Sequence, residues 1–315
     1  MRELPYLIEK NVAHLLLKME SIFNVPQRCI DELVEELHFI SLSASGPLLK
    51  DILRSCLKKH NCEVDDFIIS EMATDLCKSN PITLALGHNA PLSTSYKRRE
   101  YFKEHFSMVE PIEYILSARE KRSFQYVPIL KSLHEVLKKK EIQDLLRHSS
   151  EADSRSDTHF YKSFHDGIHF KNNTLLSENN PAISLILYVD DFEVCNPLGT
   201  SRKKHKITAV YWVLANVPPL LRSSLTSIYL AILCKADDVK KFGYSAVLEP
   251  LLKDLASLEE EGLYIPSLGL RVKGTVYCVV ADNLGAHSIG GFVESFSSTH
   301  VCRFCLGERS QFQIP

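Results

Sequence analysis

Two acidic positions follow apolar runs that have the composition of buried strands. The run 183–189 passes directly into Asp190 and Asp191, and the run 275–281 passes into Asp282. Carboxylates held together at strand ends have a specific chemical use. Two of them about 4 Å apart repel by roughly 4 kcal/mol at an effective dielectric near 20. Divalent cations turn that repulsion into binding, and Mg2+ or Mn2+ suits hard oxygen ligands. A pair of such ions can activate a water or a 3′-hydroxyl and stabilise the leaving oxygen of a phosphodiester. Asp190 and Asp191 cannot both serve, because successive strand residues face opposite sides. Aspartates also start turns at strand ends with no catalytic duty, and composition alone leaves that reading open.

Other residue groups carry weaker signals. Cys302 and Cys305 have the spacing of half a structural zinc site, which needs four ligands. His287 is a further ligand that the fold could supply, whereas His300 is close in sequence; two free thiols are the alternative. Arg202, Lys203, Lys204 and Lys206 make a basic connection between two strands, suited to holding phosphate or to serving as a solvated loop. The stretch 96–103 interleaves aromatics with cations, which suits nucleic acid and equally the start of an amphipathic helix. His159, His165 and His169 have poor metal spacing. His287, five positions past Asp282, could orient a water or a phosphate, or be a loop histidine without such a role.

These groups need elements to position them. The run 183–189 is apolar on both faces, as in a central strand. Residues 207–215 are rich in β-branched and aromatic side chains and predict a second strand. Residues 225–234 predict a third, with a spacing that also permits a helix. Val247, Leu248, Leu251, Leu252, Leu255 and Leu258 form a helical stripe closed by Gly262, and the run 275–281 is the last strand. A glycine-rich turn and a short helix near Phe292, Val293 and Glu294 are expected after it.

The amino-terminal part predicts helices. Val12, Leu15, Leu16, Met19, Ile22 and Phe23 share one face, as do Ile30, Leu33, Val34, Leu37 and Ile40. Ser45-Gly46-Pro47 predicts the start of a new helix, carrying Leu48, Leu49, Ile52, Leu53, Cys56 and Leu57. Such stripes bury against one another, which implies a small bundle. A further helix is expected from Pro128, and 149–157 is polar enough for a linker or long surface loop.

The 315 residues allow two domains; 45% apolar and 24% charged content is that of an ordinary globular chain. A net charge of −2 and a pI near 6.7 give no global attraction to nucleic acid, so polyanion binding must come from local basic patches. The nine scattered cysteines and the lack of a leader-like start predict reduced thiols. No run has the roughly 18 apolar residues of a spanning helix, so no membrane partner is expected.

Four motifs in order carry a family resemblance. Tyr188-Val189-Asp190-Asp191-Phe192 with Asn196-Pro197-Leu198-Gly199 resembles the Asp-Gly-Phe-Asn-Pro-Phe-Gly signature of CACTA-type (En/Spm-like) DDE transposases. Asn216-Val217-Pro218-Pro219 resembles their Asn-Leu-Pro-Pro. Asp282-Asn283-Leu284-Gly285 with Gly290-Gly291-Phe292 is similar to their Asp-Phe-Pro-Ala-Leu-Gly and Ser-Gly-Trp. Cys302-Arg303-Phe304-Cys305 falls where the family has Cys-Pro-x-Cys. The chain also resembles transposon-derived proteins of fishes and invertebrates over most of 160–310.

The periodicities predict a helical region (1–77) and a helical and loop connection (78–158), and the resemblance implies a truncated RNase H-like mixed sheet (159–315), together an α+β / α/β fold. It implies Asp190 and Asp282 as metal-binding catalytic acids for DNA cleavage and strand transfer. Asp191 stands at the family's glycine, and Glu193-Val194-Cys195 are extra, so the first acid is Asp190 or Asp191. The family's third acid and its histidine pair, which would complete a Zn2+ site with Cys302 and Cys305, fall beyond Pro315. An amino-terminal piece with incomplete or absent activity is therefore expected. DNA is the implied partner, with self-association a further one, no small-molecule substrate, and the nucleus the implied location. The alternative is a non-catalytic DNA-binding or protein-interaction module of the same descent.

Overall fold

The structure is a computed structural model that describes residues 4–148, 166–178, 181–194, 205–295, 297–305 and 307–312. The fold is α+β, and the chain divides into two compact units, Met1–Met108 and Val109–Pro315.

The first unit is helical: α1 (Leu4–Ser21), α2 (Gln27–Lys59), α3 (Asp66–Lys78), α4 (Pro81–Leu86) and α5 (Ser95–His105). Its core gathers Ala13 and Leu16 of α1, Ile30 and Val34 of α2, Ala85 and Leu86 of α4, and Tyr101 and Phe102 of α5. Three helices start on side-chain caps. Asp65 accepts from Phe67 N, Asn80 from Ile82 N and Thr94 from Lys97 N, each covering a donor that the first turn leaves unbonded. The helix start expected at Ser45-Gly46-Pro47 is corrected: α2 runs unbroken through Pro47 for 33 residues. Its second half is tied to α3, where Arg54 Nε donates to Asp66 Oδ1 at 2.7 Å and Lys50 Nζ lies 3.0 Å from Asp66 Oδ2. Tertiary contacts on both sides of Pro47 outweigh its one missing hydrogen bond.

The second unit is built on a mixed six-stranded sheet. It begins with a hairpin, β1 (Ile112–Ser117) and β2 (Arg122–Tyr126), turning at Lys121 with φ 51°. The connection expected over 78–158 as helix and loop thus contains two strands of the main sheet. Next come α6 (Ile129–Leu137), which starts at Pro128, then α7 (Lys140–His148), α8 (Ile168–Lys171) and α9 (Thr174–Glu178). The central strands are β3 (Ile183–Glu193), β4 (Lys206–Leu214) and β5 (Ile228–Lys235), with α10 (Pro219–Arg222) and a single 3-10 turn between the last two. The segment with ambiguous spacing at 225–234 is therefore mainly strand. After it follow α11 (Ala236–Phe242), α12 (Tyr244–Glu260), the hairpin β6 (Leu263–Ile265) and β7 (Leu270–Val272), β8 (Gly274–Val280), α13 (Asn283–Ile289) and α14 (Arg309–Phe312).

The sheet order is β1-β2-β5-β4-β3-β8. β3, β4 and β5 form an antiparallel meander, and β8 returns parallel beside β3. Leu185, Leu187 and Val189 alternate into a core with Val210, Trp212, Leu214 and the α12 residues Val247, Leu251 and Leu255. On the other face Phe170, Leu176 and Ala182 pack with Tyr277. Buried Tyr126 binds the sheet to α12, donating to Asp254 Oδ2 at 2.7 Å and accepting from Ile129 N at 3.1 Å. Gly262, at φ +70°, ends the α12 region, and a Cβ there would stand 2.8 Å from Val272 O.

The end of the sheet differs from expectation in one detail. The short helix is 283–289, ahead of Gly290-Gly291, and 292–294 is not helical. Asp282 explains the shift, because its Oδ1 accepts from Gly285 N at 2.6 Å and starts the helix immediately after β8.

Candidate functional site

The point where the parallel pairing of β3 with β8 stops defines the candidate site. Tyr188 pairs with Val280 in the parallel ladder. Asp190 stands two residues beyond Tyr188, inside β3 but past its pairing with β8, and Asp282 stands two residues beyond Val280, just after β8 ends, so the two acids lie level where the parallel pairing stops. The site lies next to the antiparallel β3–β4 ladder, in which Asp190 pairs with Ala209 and Asp191 with Thr208.

The two neighbouring aspartates have separate surroundings. Asp190 is exposed; its Oδ2 accepts from Tyr188 Oη at 3.1 Å, and its Oδ1 accepts from Asp191 N at 2.8 Å. The bond to Asp190 pushes the Tyr188 phenol above its ordinary range; burial adds, and the charges of Asp190 and Asp282 add further. Asp191 lies on the opposite strand face, where its Oδ1 accepts from Thr208 Oγ1 at 2.6 Å. Across that face is Tyr244, the first residue of α12. Burial raises its phenol most, then the charge of Asp191; a bond with Ser288 acts in the other direction, and Glu294 and Asp282 add smaller raising effects. The field of Asp282 thus reaches a phenol on either side of the strand ends.

Asp282 does two things at once. Its Oδ1 caps α13, while the residue ends the strand beside β3. Capping fixes the orientation of the carboxylate toward the helix start and leaves Oδ2 as the second acceptor oxygen. Asn216, of the Asn-Val-Pro-Pro motif, stands at the other end of the ladder. Its Oδ1 accepts from Ser184 N at 2.9 Å and its Nδ2 donates to Ala182 O at 3.0 Å. That motif therefore clamps the start of β3 and does not reach the strand ends bearing the acids.

His287 sits on α13 and is buried. Its Nδ1 is 2.9 Å from Val293 O, and its ring meets Phe292 edge-on at 6.0 Å. These contacts fold the Gly290-Gly291 turn back on the helix. Cys302 and Cys305 lie in a tight loop closed by an isolated bridge between His300 and Glu308 and by Arg309 N donating to Thr299 O at 2.7 Å. Backbone N–H groups of Cys305 and Phe304 point at the Cys302 sulfur, and with the Cys305 side chain they hold its thiol below the ordinary value. Arg303 Nη1 donates to Asn283 Oδ1 at 3.0 Å, docking this loop beside the start of α13. Two thiols supply half of a zinc site. Among the described residues no group of three or more His, Cys, Asp or Glu is placed to hold a metal.

The basic segments fare differently. Arg202, Lys203 and Lys204 lie outside the described residues, as do Asn196 to Gly199, His159, His165 and the expected linker at 149–157. Lys206 is exposed at the start of β4, opposite Glu193 in the ladder. His169 falls on α8. In the aromatic-basic stretch Arg98 is 1% exposed and forms an ion pair with Asp31, and its Nη1 donates to Leu92 O at 3.2 Å. That cation is spent on joining α5 to α2.

Tyr188, Thr208, Tyr244 and Glu294 are neighbours of the acids that sequence reasoning does not single out as site residues. The period-two spacing of Tyr188 and Asp190 was a visible signal for the first; the other three are brought in by long-range packing. No protein-family model matches this chain, and no curated protein is significantly similar to it.

Proposed function

We propose that this is a transposon-derived protein whose second unit is an RNase H-like core of the DDE transposase kind, with Asp190 and Asp282 as metal-binding acids for phosphodiester chemistry. One observation carries the reading: with Tyr188 paired to Val280, those two acids come level on parallel neighbours, each two residues past the last pair. The meander β3-β4-β5 followed by a helical return to β8 is the connectivity that such a core needs. The four sequence motifs add to it. Mg2+ or Mn2+ would be held by the carboxylates of Asp190 and Asp282, and would supply charge to activate a nucleophile and stabilise a leaving oxygen. Tyr188 would hold the Asp190 carboxylate in place. A third carboxylate would complete the set, and Zn2+ would need two ligands besides Cys302 and Cys305. In this reading DNA is the partner and the nucleus the location.

A second reading, a non-catalytic DNA-binding or protein-interaction module, is favoured by the Asp190 carboxylate, whose two oxygens already accept hydrogen bonds from Tyr188 and Asp191 N. Mn2+ titration of the full chain decides between them. Asp282→Asn is the informative variant, because asparagine caps a helix as well as aspartate and removes only the charge. A loss of at least about tenfold in Mn2+ affinity in both Asp282→Asn and Asp190→Asn supports the metal centre. Loss with Asp191→Asn but not Asp190→Asn moves the first acid by one residue. Affinity unchanged in all three variants removes the centre and leaves the module.

A further inference from the structure

We propose that α2 is a dimerisation helix that pairs antiparallel with α2 of a second copy of this chain. At 33 residues α2 is about 50 Å long. Its inward face in the first half carries the buried Ile30 and Val34. A different stripe faces solvent: Leu33, Leu37, Ile40, Ala44, Leu48 and Ile52, at steps of three and four that keep them on one side. The four from Leu37, Ile40, Leu48 and Ile52 are 43%, 54%, 61% and 53% exposed. An apolar stripe of this length on a helix needs a covering partner.

The charge pattern identifies that partner. The first half of α2 has Asp31, Glu32, Glu35 and Glu36 against Arg28 alone. The second half has Lys50, Arg54, Lys58 and Lys59 against Asp51 alone. The helix is therefore an acidic half followed by a basic half, joined at the small residue Ala44. Parallel pairing of two copies would set like charges side by side. Antiparallel pairing sets each acidic half on a basic half, and a two-fold axis makes the same surface complementary to itself. With the axis at Ala44, Ile40 faces Leu48 of the second copy, and Glu32 and Glu36 come alongside Arg54 and Lys58 of the second copy. Arg54 and Lys50 also bind Asp66 within their own chain, which holds them on α2's surface. A polyanion would be repelled by the acidic half, so nucleic acid does not fit this stripe.

The test uses the full chain. Sedimentation equilibrium is expected to give a dimer at tens of micromolar protein. Ile40→Glu with Leu48→Glu is expected to give a monomer with an unchanged far-ultraviolet spectrum, since both side chains face outward. Glu32→Lys with Glu36→Lys is expected to weaken the dimer by at least about tenfold, and adding Arg54→Glu and Lys58→Glu to restore it. Under mild oxidation Ala44→Cys should cross-link to itself, with the bond mapped by mass spectrometry, whereas Leu33→Cys should not. A monomeric wild-type chain overturns the proposal. A dimer that survives Ile40→Glu with Leu48→Glu, or self-cross-linking by Leu33→Cys, also overturns it. These outcomes are independent of the strand-end acids.

Discussion

Asp190 and Asp191 show how one residue step separates two chemistries. Both are exposed, but Asp190 is bonded to Tyr188, whereas Asp191 accepts from Thr208 on the other strand face and its charge raises the Tyr244 phenol. The same contrast of surroundings sets the cysteines apart. Backbone N–H groups stabilise the Cys302 thiolate, so its alkylation should reach half its limiting rate at a pH below that of an ordinary thiol. Burial pushes the Cys234 thiol up to about 11, so it should stay inert until strongly alkaline pH. Iodoacetamide labelling against pH, resolved by peptide mapping, checks both. Equal labelling of the two at neutral pH would contradict the surroundings described. The Cys-x-x-Cys spacing was visible in the sequence, but the lowered thiol was not, because it depends on where the 303–305 backbone points.

At the scale of elements, Gly274 and Pro47 are the informative positions. Gly274 begins β8 where it meets β3, and a Cβ there would stand 2.5 Å from Ile183 Cβ and 2.6 Å from Ile183 O. Gly274→Ala should cost about 1–3 kcal/mol through overpacking and lower the melting temperature by several degrees. It should also weaken any Mn2+ binding that depends on the β3–β8 register. Pro47→Ala should do the opposite, adding about 1–3 kcal/mol to stability in urea unfolding, because it restores a helical N–H and removes a ring clash. No gain would mean that α2 has adapted to the proline.

These positions also explain what was legible. The stripe of Val247 to Leu258 and the runs 183–189 and 275–281 are local periodicities, and each became the element expected. Pro47 carried a valid local start signal that side-chain contacts to α3 overrode. The hairpin 112–126 went unread: only Phe124 and Tyr126 are buried in it, and Glu113, Arg122 and Gln125 dilute any apolar alternation.

For the whole molecule, a net charge of −2 means that any DNA affinity must arise from local cations and fall steeply with salt. If the basic connection before β4 holds phosphate, Lys203→Glu with Lys204→Glu and Lys206→Glu should flatten the slope of log affinity against log salt by about three. An unchanged slope would move the contact elsewhere, and no affinity at low salt would leave an interaction protein. Sequence alone settled that helices come before the central strands, that apolar strands lead into the acids, and that there is no charge bias toward polyanions; that β3 runs on past Asp190 to Glu193 was not legible. Tertiary structure decided that β3 and β8 are neighbours, that they run parallel, and that Tyr188 meets Val280. Those facts join residues some ninety positions apart, and pairing at that separation depends on packing of the whole sheet, which local pattern does not encode.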